Sequence, residues 1–479
     1  MPHQLSATRI FCGHEAGSRN DAVISFDGGV ITSIAPTTKP PSSRCFILPA
    51  LVNAHDHARP TASSFGAMSM PLESWILRSV FGTPPDPYLA AASALARSAR
   101  SGCAAMMIHY TRPSGTMGIV DEARAIARAA SDVGIRLAFA LAVRDQNPIV
   151  YGDGENVLSE LDAQDRKAIE DLFVRPAPAP NDYIATVEAI DAAIAGPLID
   201  VQFGPAGVQW CSKPLLEAIA ERSATTGRRV HMHLLETIYQ RHWADQAFPG
   251  GIVRFLNDVG LLSERLTLAH CIHARPDELD IIAASGARIV TNFSSNLHLG
   301  SGLAPIADAH RRGCPIAVGI DGLALDEDDD AMREMRLVKL AHGGTGYRSS
   351  WSCEEFYALA VGNGRRAVGA PGSGELAPGA AADFMVIDLD RLDRDAIMPV
   401  DPLALLFARG NASSIRDVIV AGRIIVADGK PTGVDLPAIE KELREMYRSS
   451  VKNYAAFGEA WSRFEAPLKR WFGGLCDCG

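Results

Sequence analysis

The spacing of apolar residues divides the chain into two β-rich ends and a longer middle region. Tight turns rich in glycine, Gly28-Gly29 and Ala421-Gly422, separate short apolar segments near both ends, as in antiparallel hairpins. We expect the two ends to pair into one small sheet. The predicted strands of this sheet are Ala22–Phe26, Val30–Ile34, Asp383–Ile387, Val418–Val420 and Arg423–Val426.

In the middle region, apolar runs of strand length alternate with segments whose apolar residues recur every three or four positions. Helices of this kind are predicted at Lys213–Thr226, Pro276–Ala284 and Ala331–Ala341. This alternation is typical of βα units in a parallel sheet, and eight such strands indicate an α/β fold, the (β/α)8 barrel. The predicted strands are Phe46–Val52, Ala104–His109, Arg136–Leu141, Ile199–Phe203, Val230–Leu235, Leu266–His270, Arg288–Thr291 and Ile316–Ile320.

Two segments do not follow the βα alternation. Asp145–Asp182 is rich in charge and contains the proline-dense run Arg175–Pro180, which neither a helix nor a central strand accepts. We expect it to cross the barrel mouth, where it either contacts substrate or only covers the surface. Pro437–Trp471 is predicted to be helical and to pack on the barrel or on a second subunit.

Composition and charge narrow the classes of partner. The 479 residues are 47% hydrophobic and 21% charged, which is enough apolar material for a large core. The formal net charge is -10 and no long Lys/Arg run occurs, so a nucleic acid or an anionic membrane is disfavoured and a small molecule is favoured. Nine scattered cysteines and the absence of a signal-like or membrane-spanning segment indicate a cytoplasmic protein.

Five polar side chains stand at the ends of predicted strands. His55 and His57 follow the first barrel strand, while His233, His270 and Asp321 close three others. Each alone is also explained as a polar loop residue or a hydrogen-bonded core residue. Because strand ends of a barrel converge on one mouth, we expect the five to meet there. Imidazoles with one carboxylate suit Zn²⁺ or Fe²⁺, leave a position open for water and lower the pKa of that water.

Glu236 is the candidate proton carrier. It lies three residues after His233, so its carboxylate stays near the metal if the chain turns into a helix there. A buried carboxyl with a raised pKa can take a proton from water and deliver it to a leaving group. The alternative role is that of an ordinary carboxylate in the first turn of a helix.

Five motifs in order give the chain a family resemblance. They resemble the deaminase and chlorohydrolase branch of the amidohydrolase superfamily, which includes S-adenosylhomocysteine and methylthioadenosine deaminases, guanine deaminases and triazine hydrolases. The resemblance covers about residues 1–430. The motifs are His55-x-His57, His233-Leu-Leu-Glu236-Thr, Leu268-Ala-His270-Cys271, the run from Asn292 to Pro305, and Gly319-Ile-Asp321-Gly322.

The resemblance implies a distorted (β/α)8 TIM barrel at residues 49–374 and a small composite β-sandwich from residues 1–48 and 375–432. Residues 433–479 would then form a C-terminal helical extension. It further implies one divalent metal ion, Zn²⁺ or alternatively Fe²⁺ or another ion, since no lysine ends the fourth strand to bridge a second metal. Relatives of this kind commonly form homodimers or higher homo-oligomers. The implied metal ligands are His55, His57, His233 and Asp321, and the implied catalytic residues are Glu236, His270 and Asp321.

Further polar and aromatic residues near strand ends are candidate substrate contacts. Each could bind a heterocycle by a hydrogen bond or a stacking face, and each is also explained as an ordinary loop or core residue. Ser295 and Asn296 are expected to shape the backbone of their loop instead. The candidates are His109, Tyr110, Arg112, Gln209, Trp210, His273 and His298.

Hydrolytic deamination is the leading hypothesis for the reaction. A metal-bound hydroxide would attack the amino-bearing carbon of a nitrogen heterocycle, and Glu236 would move the proton so that ammonia leaves. The same residues suit hydrolysis of an amide, urea, carbamate, thiocarbamate or carbon–chlorine bond. A non-catalytic barrel scaffold is a distant alternative, because a scaffold needs neither the ligands nor Glu236.

Overall fold

The computed structural model describes residues 3–39, 41, 43–59, 67–322 and 328–476. Its strands form two large sheets and one two-stranded hairpin. The strands are β1 (His3–Gly13), β2 (Gly17–Asp27), β3 (Val30–Pro36), β4 (Cys45–Pro49), β5 (Leu51–Asn53), β6 (Cys103–Tyr110), β7 (Arg136–Val143), β8 (Ile199–Pro205), β9 (Val230–Leu234), β10 (Leu266–His270), β11 (Arg288–Thr291), β12 (Ile316–Val318), β13 (Gly344–Thr345), β14 (Arg348–Ser349), β15 (Phe384–Asp388), β16 (Ile415–Val420), β17 (Arg423–Ala427) and β18 (Lys430–Pro431).

Helices follow most of the barrel strands and cover the outside of the barrel. The three helices named from the sequence are present, with ends displaced by no more than one residue. The described α-helices are Leu72–Arg78, Pro87–Arg100, Ile119–Val133, Glu155–Leu158, Ala163–Phe173, Pro180–Ile194, Lys213–Thr226, Ile238–Ala247, Ile252–Asp258, Pro276–Ser285, Phe293–His298, Ile306–Arg311, Ala331–His342, Cys353–Ala367, Leu389–Leu392, Pro402–Arg409, Leu436–Ser450 and Ala455–Cys476.

The parallel strands β5 to β12 lie side by side in chain order and confirm the (β/α)8 barrel. Ala54 N donates to Val318 O at 3.0 Å and Asp321 N donates to His55 O at 2.9 Å, so the last strand closes onto the first. The barrel is distorted between β8 and β9, where pairing is reduced to Phe203 with Val230 and one isolated bridge beyond it. The ends of β5, β9, β10 and β12 therefore open on the same mouth.

The two chain ends share one sheet, as the sequence predicted. Its strand order is β18-β17-β16-β15-β4-β1-β2-β3, and β4 pairs antiparallel with β15 from the far end of the chain. The strand β1 was missed because its residues do not keep a continuous polar–apolar alternation. The exact boundaries between this sheet, the barrel and the C-terminal helices stay a prediction.

The predicted single strand Phe46–Val52 is wrong, because the chain changes sheets in its middle. β4 ends at Pro49, which has no N–H to continue a ladder, and β5 begins at Leu51. The donors change partners at this point: Ala50 N donates to Asp383 O at 3.2 Å, whereas Leu51 N donates to Gly102 O at 2.9 Å. An apolar run buried on both sides of this break gives no periodic signal for it.

A second apolar cluster covers the barrel mouth. The segment after β7 crosses the mouth and contains the helices Glu155–Leu158 and Ala163–Phe173, and the C-terminal helix Ala455–Cys476 packs on both. Phe464 of that helix is fully buried in this cluster. The segment after β7 and the C-terminal helix thus cover the barrel mouth.

Among the residues that the structure describes, no helix is both long enough and apolar enough to cross a membrane. The sequence-based expectations of a cytoplasmic location and of a homo-oligomer stay predictions.

Candidate active site

Six polar side chains meet at the carboxyl ends of the barrel strands, and we call them the polar cluster. Four of them are histidines next to or inside strands: His55 and His57 follow β5, His233 lies in β9, and His270 ends β10. All six are buried, with at most 7% of their surface exposed. The members of the polar cluster are His55, His57, His233, Glu236, His270 and Asp321.

The polar cluster brings its nitrogen and oxygen atoms toward one point. Asp321 Oδ1 lies 3.1 Å from His57 Nε2 and 3.3 Å from His55 Nε2. His57 Nε2 and His233 Nε2 are 3.3 Å apart. Candidate ligand atoms lie within 4.8 Å of one another in two overlapping groups, one of His55, His57 and His233 and one of His55, His270 and Asp321.

The hydrogen bonds behind two of the histidines fix which nitrogen carries the proton. His57 Nδ1 donates to His109 O at 2.7 Å, and His233 Nδ1 donates to Ala206 O at 2.8 Å. In a neutral ring the other nitrogen is then an acceptor, so the two Nε2 lone pairs face each other and Asp321 without a proton between them. Such a set of acceptors is stable only around a cation, and the residues therefore fit a divalent metal.

The buried histidines are held in the neutral form that a metal requires. Burial lowers the pKa of His55 and of His57 to about 3, and lowers the pKa of His233 well below its ordinary value. Burial also lowers the pKa of His270. Neutral imidazoles with nitrogen lone pairs are ligands for Zn²⁺ and similar ions.

The pKa values of the two carboxyl groups of the cluster are shifted in opposite directions. Burial acts to raise the pKa of Asp321, but its contacts with His55 and His57 hold that pKa well below its ordinary value. Burial, followed by repulsion from Asp321 and Glu73, raises the pKa of Glu236 well above its ordinary value. Two neighbouring carboxyls with pKa values moved apart are typical of a charged ligand beside a proton carrier.

His270 and Asp321 are oriented by the loop between β11 and β12. Asn296 Oδ1 accepts a hydrogen bond from His270 Nδ1 at 2.9 Å, and Ser295 Oγ donates to Asp321 Oδ2 at 2.6 Å. Ser295 and Asn296 were expected to shape the backbone of their loop, and the structure adds that both side chains contact cluster residues. His270 Nε2 is left facing Glu236 Oε2 at 3.7 Å.

The backbone at two cluster positions is strained. His270 has φ 74° and Asp321 has φ 69°, both in the left-handed region that side chains other than glycine rarely adopt. Gly319 allows the close approach of β12 to His55, because a Cβ there would lie 2.8 Å from the His55 Cβ. Strain of this kind, held by the surrounding fold, is common at catalytic sites.

Residues that sequence reasoning passed over surround the cluster. His231 Nε2 lies 2.7 Å from His55 Nδ1, and its position two residues before His233 places both on the same side of β9. Glu73 accepts hydrogen bonds from Thr237 and Tyr151 beside the cluster. The alternation within β9 was a usable signal for His231, whereas Glu73 comes from a helix with no link to the motifs.

The candidate substrate contacts occupy different surroundings. His109 is fully buried and lies 3.0 Å through its Nε2 from Gly204 O, with its ring between those of the cluster histidines. Tyr110 donates to Glu122 at 2.5 Å, away from the cluster. His109 and Tyr110 thus lie within the barrel wall, and their proposed contacts with substrate stay predictions.

The remaining candidates lie closer to the mouth. Trp210 lines the pocket of about 20 Å³ at the cluster, while Gln209 is buried beside it. His273 is half-buried and bonded to Ser301 O at 2.9 Å, and His298 ends the short helix Phe293–His298. Of these four, the structure brings only Trp210 to the pocket wall formed by the described residues, and the roles of the others stay predictions.

Comparison with known proteins identifies the class of this chain. A model of the amidohydrolase family matches residues 46–425, and the chain therefore belongs to the amidohydrolase family. This is a family of hydrolytic enzymes, and the match includes the barrel and every member of the polar cluster.

Individual relatives are similar over most of their length. A 5-methylthioadenosine/S-adenosylhomocysteine deaminase from Nitratidesulfovibrio vulgaris is 27% identical over 424 residues, which is 88% of each chain. A 5'-deoxyadenosine deaminase from Methanococcoides burtonii is 25% identical, covering 86% of this chain and 88% of its own. These relatives are named as deaminases of nucleoside-type compounds.

Solved structures share the fold. A zinc-bound adenosine deaminase from Xanthomonas campestris superimposes with a TM-score of 0.78 at 21% identity, covering 94% of this chain and 98% of its own. An atrazine chlorohydrolase from Arthrobacter aurescens TC1, complexed with zinc, does so with a TM-score of 0.77 at 23% identity, covering 93% and 99%. At this identity the likeness establishes the fold alone.

Proposed function

We propose that this chain is a zinc-dependent deaminase that hydrolyses the exocyclic amino group of a nitrogen heterocycle. The observation that carries the proposal is the position of Glu236, a buried carboxyl with a strongly raised pKa beside four neutral histidines and one charged aspartate. The names of the similar proteins, which are deaminases, support the same reaction.

His55, His57, His233 and Asp321 would hold the metal, because their lone pairs converge without a proton between them. When bound, a divalent zinc ion supplies Lewis acidity and makes a water molecule acidic enough to react near neutral pH. The aspartate contributes the single negative charge among these four ligands.

Glu236 moves the proton in the proposed reaction. The water oxygen forms a bond to the ring carbon, the bond from that carbon to the amino nitrogen breaks, and one water proton ends on the departing ammonia. Glu236 Oε2 lies close enough to the cluster to receive that proton and pass it to the nitrogen. Its raised pKa suits this exchange because the carboxyl binds a proton readily at neutral pH.

His270 and Asp321 orient the water. The proton on His270 Nδ1 is engaged by Asn296, so Nε2 accepts a hydrogen bond from a water placed between it and Glu236. Asp321 Oδ2 is fixed by Ser295, which keeps its other oxygen toward His55 and His57. These contacts place the water before the bond to carbon forms.

Hydrolysis of a carbon–chlorine bond, or of an amide, urea or carbamate, is the second candidate. The same acid, base and metal ligands serve any leaving group on an electrophilic carbon. The likeness of the fold to atrazine chlorohydrolase favours including the carbon–chlorine case. Deamination ranks first because the relatives that match at the level of sequence are deaminases.

Ammonia release distinguishes the candidates. Zinc-loaded protein is assayed with aminated purines, pterins, pyrimidines and triazines, and in parallel with chlorinated triazines and carbamates. Deamination predicts ammonia from at least one aminated ring and its disappearance after chelation. Release of chloride or of an amine from the second panel, with no ammonia from the first, would support the second candidate reaction instead of deamination.

A further inference from the structure

A cavity of about 650 Å³ opens next to the polar cluster. Its described lining includes Arg59, Arg112 and Arg144. Arg59 and Arg144 also line the small pocket that contains Glu236 and Asp321, so the cavity and the cluster share a wall. A space of this size is typical of a binding site for a small organic molecule.

Three of the arginines that line this cavity, Arg59, Arg112 and Arg144, have no ionic partner among the described residues. Arg59 is buried, and Arg112 and Arg144 are half-buried. Two buried arginines elsewhere are paired: Arg136 lies 2.9 Å from Asp383, and Arg241 lies 2.9 Å from Glu278. For Arg59, Arg112 and Arg144, by contrast, no carboxylate oxygen of any described residue lies within 4.0 Å. A buried charge without a partner is costly, which points to a partner supplied from outside.

Neutral groups hold the three guanidiniums in place without cancelling their charge. Arg59 Nη2 donates to Thr111 at 2.6 Å and its guanidinium lies 5.0 Å from the ring centre of Trp75. Arg112 Nη2 donates to Ile76 O at 2.8 Å and to Ser79 Oγ at 2.9 Å.

Unused donors remain in two of these side chains. Arg59 is 94% buried, and its Nε has no hydrogen-bond partner among the described residues; the same holds for Arg112 Nη1. Arg144 stacks 4.0 Å from the ring centre of Trp210. The aromatic faces of Trp75 and Trp210 thus orient two of the guanidinium groups, and two buried N–H groups have no partner among the described residues.

Positive charge predominates among the side chains that line the cavity. Burial and the neighbouring guanidiniums lower the pKa of Arg112 to about 9, and burial lowers the pKa of Arg144 to about 10, so both stay charged at neutral pH. Asp145, the acidic residue of the described lining, is already bonded to Ser212 at 2.6 and 2.5 Å. Asp321, Asp56 and Glu236 attract Arg59, but only over a longer range.

We propose that the substrate carries an oxyanion, a carboxylate or a phosphate, which binds between Arg59, Arg112 and Arg144. The amino-bearing ring carbon of the same molecule then lies at the polar cluster, beyond Arg59 and Arg144, which line both the cavity and the small pocket. Guanidinium forks bind the oxygens of either anion in pairs, and the anion neutralises charges that have no ionic partner among the described residues. This inference rests on the proposed function for the identity of the reacting end, but the anion site has its own test.

The test is equilibrium binding by calorimetry to the zinc-loaded Glu236→Gln protein, in which turnover is blocked. Pterin-6-carboxylate is compared with pterin, and adenosine monophosphate with adenosine, so that the two pairs distinguish carboxylate from phosphate. We expect the charged member of at least one pair to bind about tenfold more tightly or better, as one charge-assisted bidentate contact allows.

Substitutions of the arginines test which of them cause the tighter binding of the charged compound. Arg112→Gln and Arg144→Gln should abolish it, while Arg112→Lys, which keeps the charge and shows whether loss reflects misfolding, should retain part of it. Arg78→Gln is the matched control, because Arg78 stacks on Phe81 and Trp461 and does not belong to the described cavity lining. Equal affinity within both pairs, no binding of either anion, or a preference that survives both glutamine variants would overturn the proposal.

The two proposals fail separately. A preference for the anion without ammonia release from any aminated ring contradicts the deaminase assignment and leaves the anion site standing. Ammonia release from neutral rings, with no binding of the charged ones, contradicts the anion site alone.

Discussion

The polar cluster and the arginine cavity share a wall of the barrel mouth, and their charges are satisfied in opposite ways. In the cluster, lone pairs of His57, His233 and Asp321 turn toward one point without a proton between them. In the cavity, Arg59 and Arg112 keep unused N–H donors. In the proposed function a cation completes the first arrangement, and in the proposed anion site an anion completes the second. The two proposals together assign reaction chemistry and substrate choice to separate sets of residues.

Removing two of the proposed metal ligands should have the largest effect on metal content and on activity. The double substitution His57→Ala with His233→Ala removes two converging nitrogens, so metal content and ammonia release should both fall to background. Elemental analysis of the purified protein measures the first and an ammonia assay the second. His310→Ala is the control, since that half-buried histidine packs on Trp351 far from the strand ends. Full metal content in the double variant would contradict the ligand assignment.

Removing the proton carrier should give the next largest effect. Glu236→Gln keeps the shape of the side chain and should lower kcat by about 10²- to 10⁴-fold, the usual contribution of general acid–base catalysis. Metal content and the affinity for the anionic probe should stay unchanged, because neither depends on this proton. An unaltered kcat would show that another group moves the proton.

Smaller substitutions should separate the two regions kinetically. Ser295→Ala and Asn296→Ala release Asp321 and His270 from their hydrogen bonds, and we expect kcat to fall about 10- to 100-fold with little change in KM. Arg112→Gln should instead raise KM for an anionic substrate. Steady-state kinetics of the three variants on one substrate measure both constants. Identical effects on kcat and KM in all three variants would show that the cluster and the cavity do not have separate roles.

Glu334, which lies behind the polar cluster, should make the free energy of unfolding depend on pH. Glu334 is fully buried and accepts hydrogen bonds from Ser294 at the helix that carries Ser295, and burial raises its pKa to about 7. Because the folded state binds this proton more tightly than the unfolded state, the free energy of unfolding should decrease as pH rises from about 4.5 to about 7.

The contribution is at most about 3 to 4 kcal/mol at about 1.4 kcal/mol per pKa unit. Chemical denaturation across this pH range measures it, and Glu334→Gln should remove most of the decrease. A variant that loses stability with pH as steeply as the wild type would show that other groups are responsible.

The barrel and the cluster were predictable because their signals are periodic and local. His233, His270 and Asp321 stand where apolar strand patterns end, and the geometry of a barrel brings such ends together. The sheet change at Pro49 was not predictable, since the apolar run around it is buried in both sheets. Local pattern thus located the elements, and tertiary pairing decided which sheet they joined.

The arginine cavity was largely hidden from sequence reasoning. Arg59 follows the His55-x-His57 motif and Arg144 follows β7, yet an arginine in a loop is usually solvated, and only their place in the cavity lining marks these two. The contacts of Ser295 and Asn296 with the cluster were not predicted, because the direction of a side chain in a short helix depends on what packs against it. His109 is fully buried beside the cluster histidines, and its proposed contact with substrate stays a prediction.

Metal titration of chelated protein tests the central claim most directly. Zn²⁺ is added in steps while bound metal and ammonia release are measured on the same samples. The account predicts that activity rises in proportion to bound zinc and saturates at one ion per chain. Activity that persists without metal, or that requires a second ion per chain, would contradict it.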